Sequence, residues 1–194
     1  MIQKNPIDKK DPKLNKNQVE VATLAGGCFW CIEAVFAMVQ GIKSVVSGYS
    51  GGHVVNPTYE QVCSETTGHA EAVQLEFQVQ DISYHTILNM FFSIHDPTTL
   101  NRQGNDIGES YRSAIFYHNQ SQLIVAKNTI ESLETNRIWG SPIVTELKPV
   151  EKFYLAEDYH QQYYTNNQSQ PYCEYVVSPK ISKFRSQYSK YLKD

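Results

Sequence analysis

The sequence predicts an α+β fold, a ferredoxin-like two-layer α/β sandwich with a split βαβ core and additional C-terminal segments. Three observations point there. Apolar patterns of period two and period 3.6 follow one another in the order βαβ, then βαβ again. The run "EAVQLEFQV" (71–79) sets Val73, Leu75, Phe77 and Val79 against Gln74, Glu76 and Gln78, as in a strand with one buried face, and helices covering one side of a mixed or antiparallel sheet produce that pattern. Glycine and proline stand mainly between the patterned runs, where the chain turns.

Taken in order, residues 1–18 are rich in Lys, Asn, Asp and Pro, carry too little apolar surface to drive burial, and are expected to form a flexible arm. "VEVATLAGG" (19–27) alternates as a strand does and ends in two glycines. "CFWCIEAVFAMVQ" (28–40) places Cys31, Val35 and Met38, with Ile32, Phe36 and Val39 beside them, at helical spacing, and Gly41 stops the helix. Cys28 then sits at that helix's N-terminus. "GIKSVVSGYSGGH" (41–53) reads as a strand entering a glycine-rich loop, and "NPTYEQVCSETTGH" (56–69) as a long irregular loop. After strand 71–79, "SYHTILNMFFSIH" (83–95) has Ile87, Leu88, Phe91 and Ile94 on a helical face and ends at Asp96-Pro97. The loop "DPTTLNRQGNDIGES" leads to the strand "YRSAIFYH", a helix over about 121–136 and the strand "PIVTELKPV". From Glu157 a short helical stretch, "EDYHQQYYTN", gives way to mixed polar and aromatic sequence. No internal repeat and no second domain are visible.

Composition narrows the function. In 194 residues, 41% are hydrophobic, enough to bury an ordinary core. The net charge of −3 with 19% charged residues leaves no basic stripe for nucleic acid. No apolar run has the length of a membrane span and the start lacks a secretory apolar core, so a cytoplasmic protein is expected. Four cysteines are too few for a disulfide scaffold, which favours thiol chemistry or metal binding. Zinc needs a second half-site, and Cys63 and Cys173 stand alone, so no metal is expected.

Attention falls on "AGGCFWCIEA" (25–34). At a helix N-terminus Cys28 meets the positive end of the dipole and free backbone N–H groups, which favour a nucleophilic thiolate. Gly26 and Gly27 leave approach to its sulfur open. Cys31, one turn on, is placed to close a disulfide with an oxidised Cys28. The plainer readings are two small buried residues in a packing turn, or a metal pair.

With "GCFW" (27–30) stand "NPTYEQVCSETTGHAEAV" (56–73), "RQGNDIGESYRSAIF" (102–116), "AEDYHQQYY" (156–164) and "QPYCEYVVSPKISKF" (170–184). Together these blocks resemble the A-type peptide methionine sulfoxide reductases over about residues 20–185. The resemblance implies a single catalytic domain over 19–194 that reduces methionine-S-sulfoxide, free or in proteins, as protein repair under oxidative stress. It implies that Cys28 attacks the sulfoxide sulfur and becomes a sulfenic acid, while Glu71 protonates the oxygen. Tyr59 and Tyr111 match tyrosines that hydrogen-bond that oxygen, Asp106 a substrate-binding position, and Phe29 and Trp30 the pocket for the substrate methyl group. His160 falls in a matching block without a fixed role. Thioredoxin is the implied external reductant, no cofactor is bound, and a monomer is expected.

The family's commonest motif has glycine after GCFW, where this chain has Cys31. The resolving thiol is therefore Cys31 or Cys173, with a relay from Cys28 through Cys31 to Cys173 a third route; Cys31 is preferred because closing a one-turn loop costs little entropy. Cys63 is expected to be a buried bystander. Two other classes compete: a thioredoxin-like CxxC disulfide oxidoreductase, against which stand Phe29 and Trp30 and the order of the blocks, and a non-catalytic module for oxidised peptides, which leaves the thiol pair without a purpose.

Overall fold

The computed structural model describes residues 18–193, so all but the last residue of the expected N-terminal arm lies outside the described residues. The elements follow as β1 (Val19–Gly26), α1 (Phe29–Ala37), β2 (Ile42–Ser50), α2 (Tyr59–Cys63), β3 (Ala70–Gln78), α3 (Tyr84–Ile94), β4 (Arg102–Gln103), β5 (Asp106–Ile107), β6 (Ser113–Tyr117), α4 (Gln120–Thr135), β7 (Glu146–Pro149), β8 (Phe153–Leu155), α5 (Tyr163–Asn166) and α6 (Ser178–Gln187). Six strands form one sheet in the order β7-β6-β1-β3-β2-β8, and β4 and β5 form a separate small hairpin. β1 pairs antiparallel with β3 and with β6, and β2 pairs antiparallel with β3. Hence β1 and β2 run parallel with β3 between them, and β3 and β6 run parallel with β1 between them. These are two interleaved split βαβ units, the expected α+β arrangement. β7 adds parallel to β6 at one edge and β8 antiparallel to β2 at the other.

The register of β3 matters most for the site. Val73, Leu75 and Phe77 are fully buried and join the main core with Phe29, Ile32 and Phe36 of α1 and Ile87, Leu88 and Phe91 of α3. Successive side chains alternate across a strand, so Glu71 points to the same face as Val73 and Leu75, toward α1. The opposite face carries a thinner cluster of Ala25, Ala70, Ala72, Ala114 and Phe116.

Three expectations are corrected. The supposed loop 56–69 contains α2, started by a capping box in which Thr58 accepts from the Gln61 N–H and the Gln61 side chain accepts from the Thr58 N–H. The two-residue hairpin β4–β5 breaks the loop before β6. The C-terminal "mixed" sequence is helical: a π turn at Cys173–Val177 runs directly into α6. Pro179 sits in the first turn of α6, where its ring would clash with the carbonyl four residues back in a regular helix; the widened turn ahead of it accommodates it. Val177, Ile181 and Phe184 are buried against the core, contributing roughly 1.5–3 kcal/mol each. α1 needs this cover. Seven of its nine residues are buried, so a sheet on one side alone would leave apolar surface in water.

Candidate active site

β1 delivers the chain to α1 through Gly26 and Gly27, and both positions are filled by packing rather than left open above the sulfur. A Cβ on Gly26 would meet the Phe91 ring at 2.9 Å, and one on Gly27 would meet Gln103 Cγ at 2.5 Å. Gly27 also has φ +85°, a conformation that side chains other than glycine strain to adopt. Cys28 follows as the N-cap of α1, with no side-chain cap. The Phe29 N–H, an orphan donor of the first turn, donates to Glu71 Oε2 at 3.0 Å. The helix N-terminus thus holds the carboxyl of β3 against the cysteine.

Glu71 is 1% exposed. Burial pushes its carboxyl up to about 8, outweighing the hydrogen bonds from Phe29 and Cys28, and the charge of Asp106 adds to the rise. Near neutrality it holds a proton. Cys28 departs from the expectation of a thiol lowered by the helix: burial, the interaction with Cys31 and the charge of Glu71 raise it, against the pull of the Trp30 N–H. Cys31 is the thiol that moves down, to about 7. Its hydrogen bond with Cys28 is the largest cause; burial opposes, and Lys180, whose Nζ lies 3.6 Å from Cys31 Sγ, adds to the lowering.

The predicted aromatic residues gather around this pair. The Phe29 ring is fully buried, 5.1 Å from His160 and 5.9 Å from Tyr49 between ring centres. Trp30 stacks on Tyr163 at 3.7 Å, and its Nε1–H donates to His160 Nδ1 at 3.2 Å, so one face of each ring is fixed. Tyr59, the first residue of α2, is held by its N–H donating to Glu157 Oε1 at 2.9 Å. Both tyrosine hydroxyls are raised, Tyr59 by burial, a hydrogen bond with Cys63 and the charge of Glu71, and Tyr111 by burial and the charges of Glu71, Cys63 and Cys28, so both stay neutral donors. Glu65 accepts from the N–H and hydroxyl of Ser110, which fixes Tyr111 relative to α2. Asp106, on β5, accepts from the Tyr172 hydroxyl at 2.8 Å.

The nine predicted site residues therefore gather around the start of α1, with Glu71 on Phe29, Tyr59 beside His160, His160 beside Phe29, and Cys173 near Cys31. Cys173 is fully buried, its thiol raised by burial and by the charge of Cys31, which puts three thiols in one neighbourhood. Cys63 is corrected: it is exposed, and it lies against Tyr59. Four site residues escaped sequence reasoning. Tyr172 lies edge-on to Trp30 and caps Asp106. Glu157 receives the Tyr49 hydroxyl as well as Tyr59. Glu33, on α1, accepts from the N–H groups of Gln162 and Tyr163 and pins the C-terminal segment over the site. Lys180 reaches Cys31 from α6. Only Tyr172 carried a local signal, its place beside Cys173.

Comparison with known proteins agrees with this geometry. The family model for peptide methionine sulfoxide reductase matches residues 20–192, nearly the whole described chain. The chain belongs to the peptide methionine sulfoxide reductase family. The peptide methionine sulfoxide reductase MsrA of Saccharolobus solfataricus is 60% identical over 166 residues, covering 86% of this chain and 93% of that protein. The reduced form of Mxr1 from Saccharomyces cerevisiae superposes with a TM-score of 0.74 at 32% identity, over 85% of this chain and 92% of that one. Mxr1 in complex with Trx2 gives a TM-score of 0.51 at 25% identity, over 78% and 91%.

Proposed function

We propose that residues 19–194 form a single catalytic domain that reduces the S epimer of methionine sulfoxide, free or in proteins, in a reaction that starts at Cys28. The reading is carried by one observation: a buried carboxyl, Glu71, protonated near neutrality and hydrogen-bonded to the first N–H of the helix that Cys28 caps. A substrate sulfur placed over Cys28 brings its oxygen toward Glu71, Tyr59 and Tyr111. As the sulfur–sulfur bond forms, Glu71 gives its proton to the oxygen and takes the one released by the Cys28 thiol, so a neutral Cys28 suits the step. The two tyrosines stabilise charge on the oxygen. The hydroxyl then passes from the substrate sulfur to the Cys28 sulfur as the substrate sulfur–oxygen and sulfur–sulfur bonds break, so methionine leaves and Cys28 is a sulfenic acid. Phe29 and Trp30 hold the methyl group, and Asp106, oriented by Tyr172, binds the substrate backbone.

Cys31 then attacks the sulfenic sulfur, giving a Cys28–Cys31 disulfide and water; Cys173, buried nearby, is the competing or relaying thiol. Thioredoxin restores the dithiol, a reading supported by the Mxr1–Trx2 complex. Electrons come from thiols, so no resident cofactor is needed, and every reactive thiol lies in one chain, which suits a monomer in the reducing cytoplasm. The test follows methionine formed from each epimer by the parent, Cys28→Ser, Cys31→Ser and Cys173→Ser. Cys28→Ser is expected to lose even the first turnover; Cys31→Ser keeps that turnover and loses thioredoxin-driven recycling. An active Cys28→Ser sinks the mechanism, and normal recycling in Cys31→Ser with loss in Cys173→Ser reassigns the resolving thiol.

A further inference from the structure

We propose that Lys180 readies Cys31 for the second half of the reaction, holding its sulfur as the attacking anion. The proposal rests on the reading that Cys31 is the resolving thiol. It starts from geometry: Lys180 Nζ lies 3.6 Å from Cys31 Sγ, and Cys31 is 3% exposed. Among the described residues the ion pairs are those of Arg112, Lys148 and His160, so Lys180 is not committed to a carboxylate. Val177, Ile181 and Phe184 are buried on the adjoining face of the same helix, and this anchoring sets where Lys180 reaches.

The groups facing Cys31 show why a cation is needed there. Asp106 and Glu71 present carboxyls, Tyr172 and Cys173 present groups that are themselves raised by the Cys31 charge, and burial opposes ionisation. On the favourable side stand Cys28, the largest contributor, and Lys180, which together bring Cys31 to about 7. The Cys28 contribution is a hydrogen bond from its S–H, and that S–H is consumed when Cys28 becomes a sulfenic acid. Lys180 is the favourable group that the first step leaves untouched.

The chemistry balances. The Cys31 anion forms a bond to the Cys28 sulfur as the sulfur–oxygen bond breaks; the Cys28 sulfur is reduced from sulfenic acid to disulfide level and the Cys31 sulfur is oxidised to the same level. Hydroxide leaves as water with the proton that Glu71, beside Cys28, has regained in the first step. A thiol ionising near the ambient pH is the best attacking thiol, because a lower value weakens the nucleophile and a higher one empties the anion. For each unit by which Cys31 rises above the ambient pH when Lys180 is lost, its anion falls about tenfold, and greater intrinsic nucleophilicity recovers about threefold of that.

The experiment uses the full chain carrying Cys173→Ser, mixed with methionine-S-sulfoxide in a single turnover. Methionine, dimedone-trapped sulfenic acid and the Cys28–Cys31 disulfide are followed separately. Lys180→Met is expected to accumulate sulfenic acid where the parent does not and to form the disulfide severalfold more slowly at pH 7, with the deficit closing toward pH 9. Lys180→Arg should restore the rate at pH 7. Lys180→Gln serves in place of Lys180→Met if that variant fails to fold, with the same expectation. Disulfide formation at the parent rate at pH 7 in the uncharged variant, or a deficit that does not change with pH, overturns the role of Lys180. Failure of the underlying reading has a different mark: with Lys180 and Cys173 intact, Cys31→Ser would consume its sulfenic acid at the parent rate.

Discussion

At the scale of single residues, the role proposed for Glu71 ties catalysis to stability. Its carboxyl ionises near 4.5 in the unfolded chain and at about 8 when folded, so the folded state holds an extra proton between those values. The contribution of Glu71 to stability is therefore intact below about 4.5 and is lost as pH rises toward 8. Glu71→Gln, which keeps an acceptor for the Phe29 N–H, should raise the thermal midpoint at pH 8.5 by a few degrees and leave it nearly unchanged at pH 4.5. The same variant should lose about 10²–10⁴-fold in the rate of the first turnover. In the parent that rate should fall as pH rises through about 8, where the acid loses its proton. Calorimetry and single-turnover profiles check these together, and a variant no more stable than the parent at pH 8.5 would show that burial does not raise the Glu71 carboxyl.

The elements around Cys28 are joined by close fits with little slack. The strand-to-helix turn of β1 and α1 needs glycine at position 27 twice over, for its positive φ and for the Gln103 side chain that fills the space of a Cβ. Gly27→Ala should cost roughly 1–3 kcal/mol, read from denaturant unfolding, and should lower the first turnover because the whole start of α1 must shift. α2 has a different weak point. Its five residues hold Tyr59 by a capping box and by Glu157, so Thr58→Ala should cost about 1 kcal/mol and raise the KM for sulfoxide more than it lowers kcat. A thermal midpoint and KM equal to those of the parent would mean that Tyr59 is set by Glu157 alone.

Over the whole molecule, the C-terminal third completes the site that the βαβ core begins. Gln162 stands in the left-handed conformation, and Glu33 accepts from its N–H and from that of Tyr163. Gln161 meets the backbone of Ser47 on β2, donating and accepting as a neighbouring strand would. These bonds lay the segment across α1 and bring Trp30 against Tyr163, Asp106 against Tyr172, and Cys31 against Lys180. Glu33→Ala should release the segment: proteolysis within residues 157–172 and alkylation of Cys173 should both accelerate at least severalfold under native conditions. Unchanged labelling of Cys173 would show that α6 holds the segment without Glu33.

Local patterns decided much of this, because local chemistry is what they encode. Alternation and helical spacing gave the strands and helices of both βαβ units to within a few residues at most ends, and the motif blocks named Cys28, Glu71, Tyr59, Tyr111, Asp106, Phe29 and Trp30. The alternation of 71–79 also held a signal left unused, since it puts Glu71 on the face of Val73 and Leu75, where a carboxyl must be buried and raised. Only the tertiary structure decided which thiol carries the charge, because the levels of Cys28 and Cys31 depend on burial and on groups up to 149 positions away along the chain. It also decided that Cys63 is exposed and that Pro179 lies inside a helix, through the core contacts of Val177, Ile181 and Phe184. Spacing along the chain reports what one turn or one strand can do. The field at a buried sulfur is set by whatever the fold packs against it.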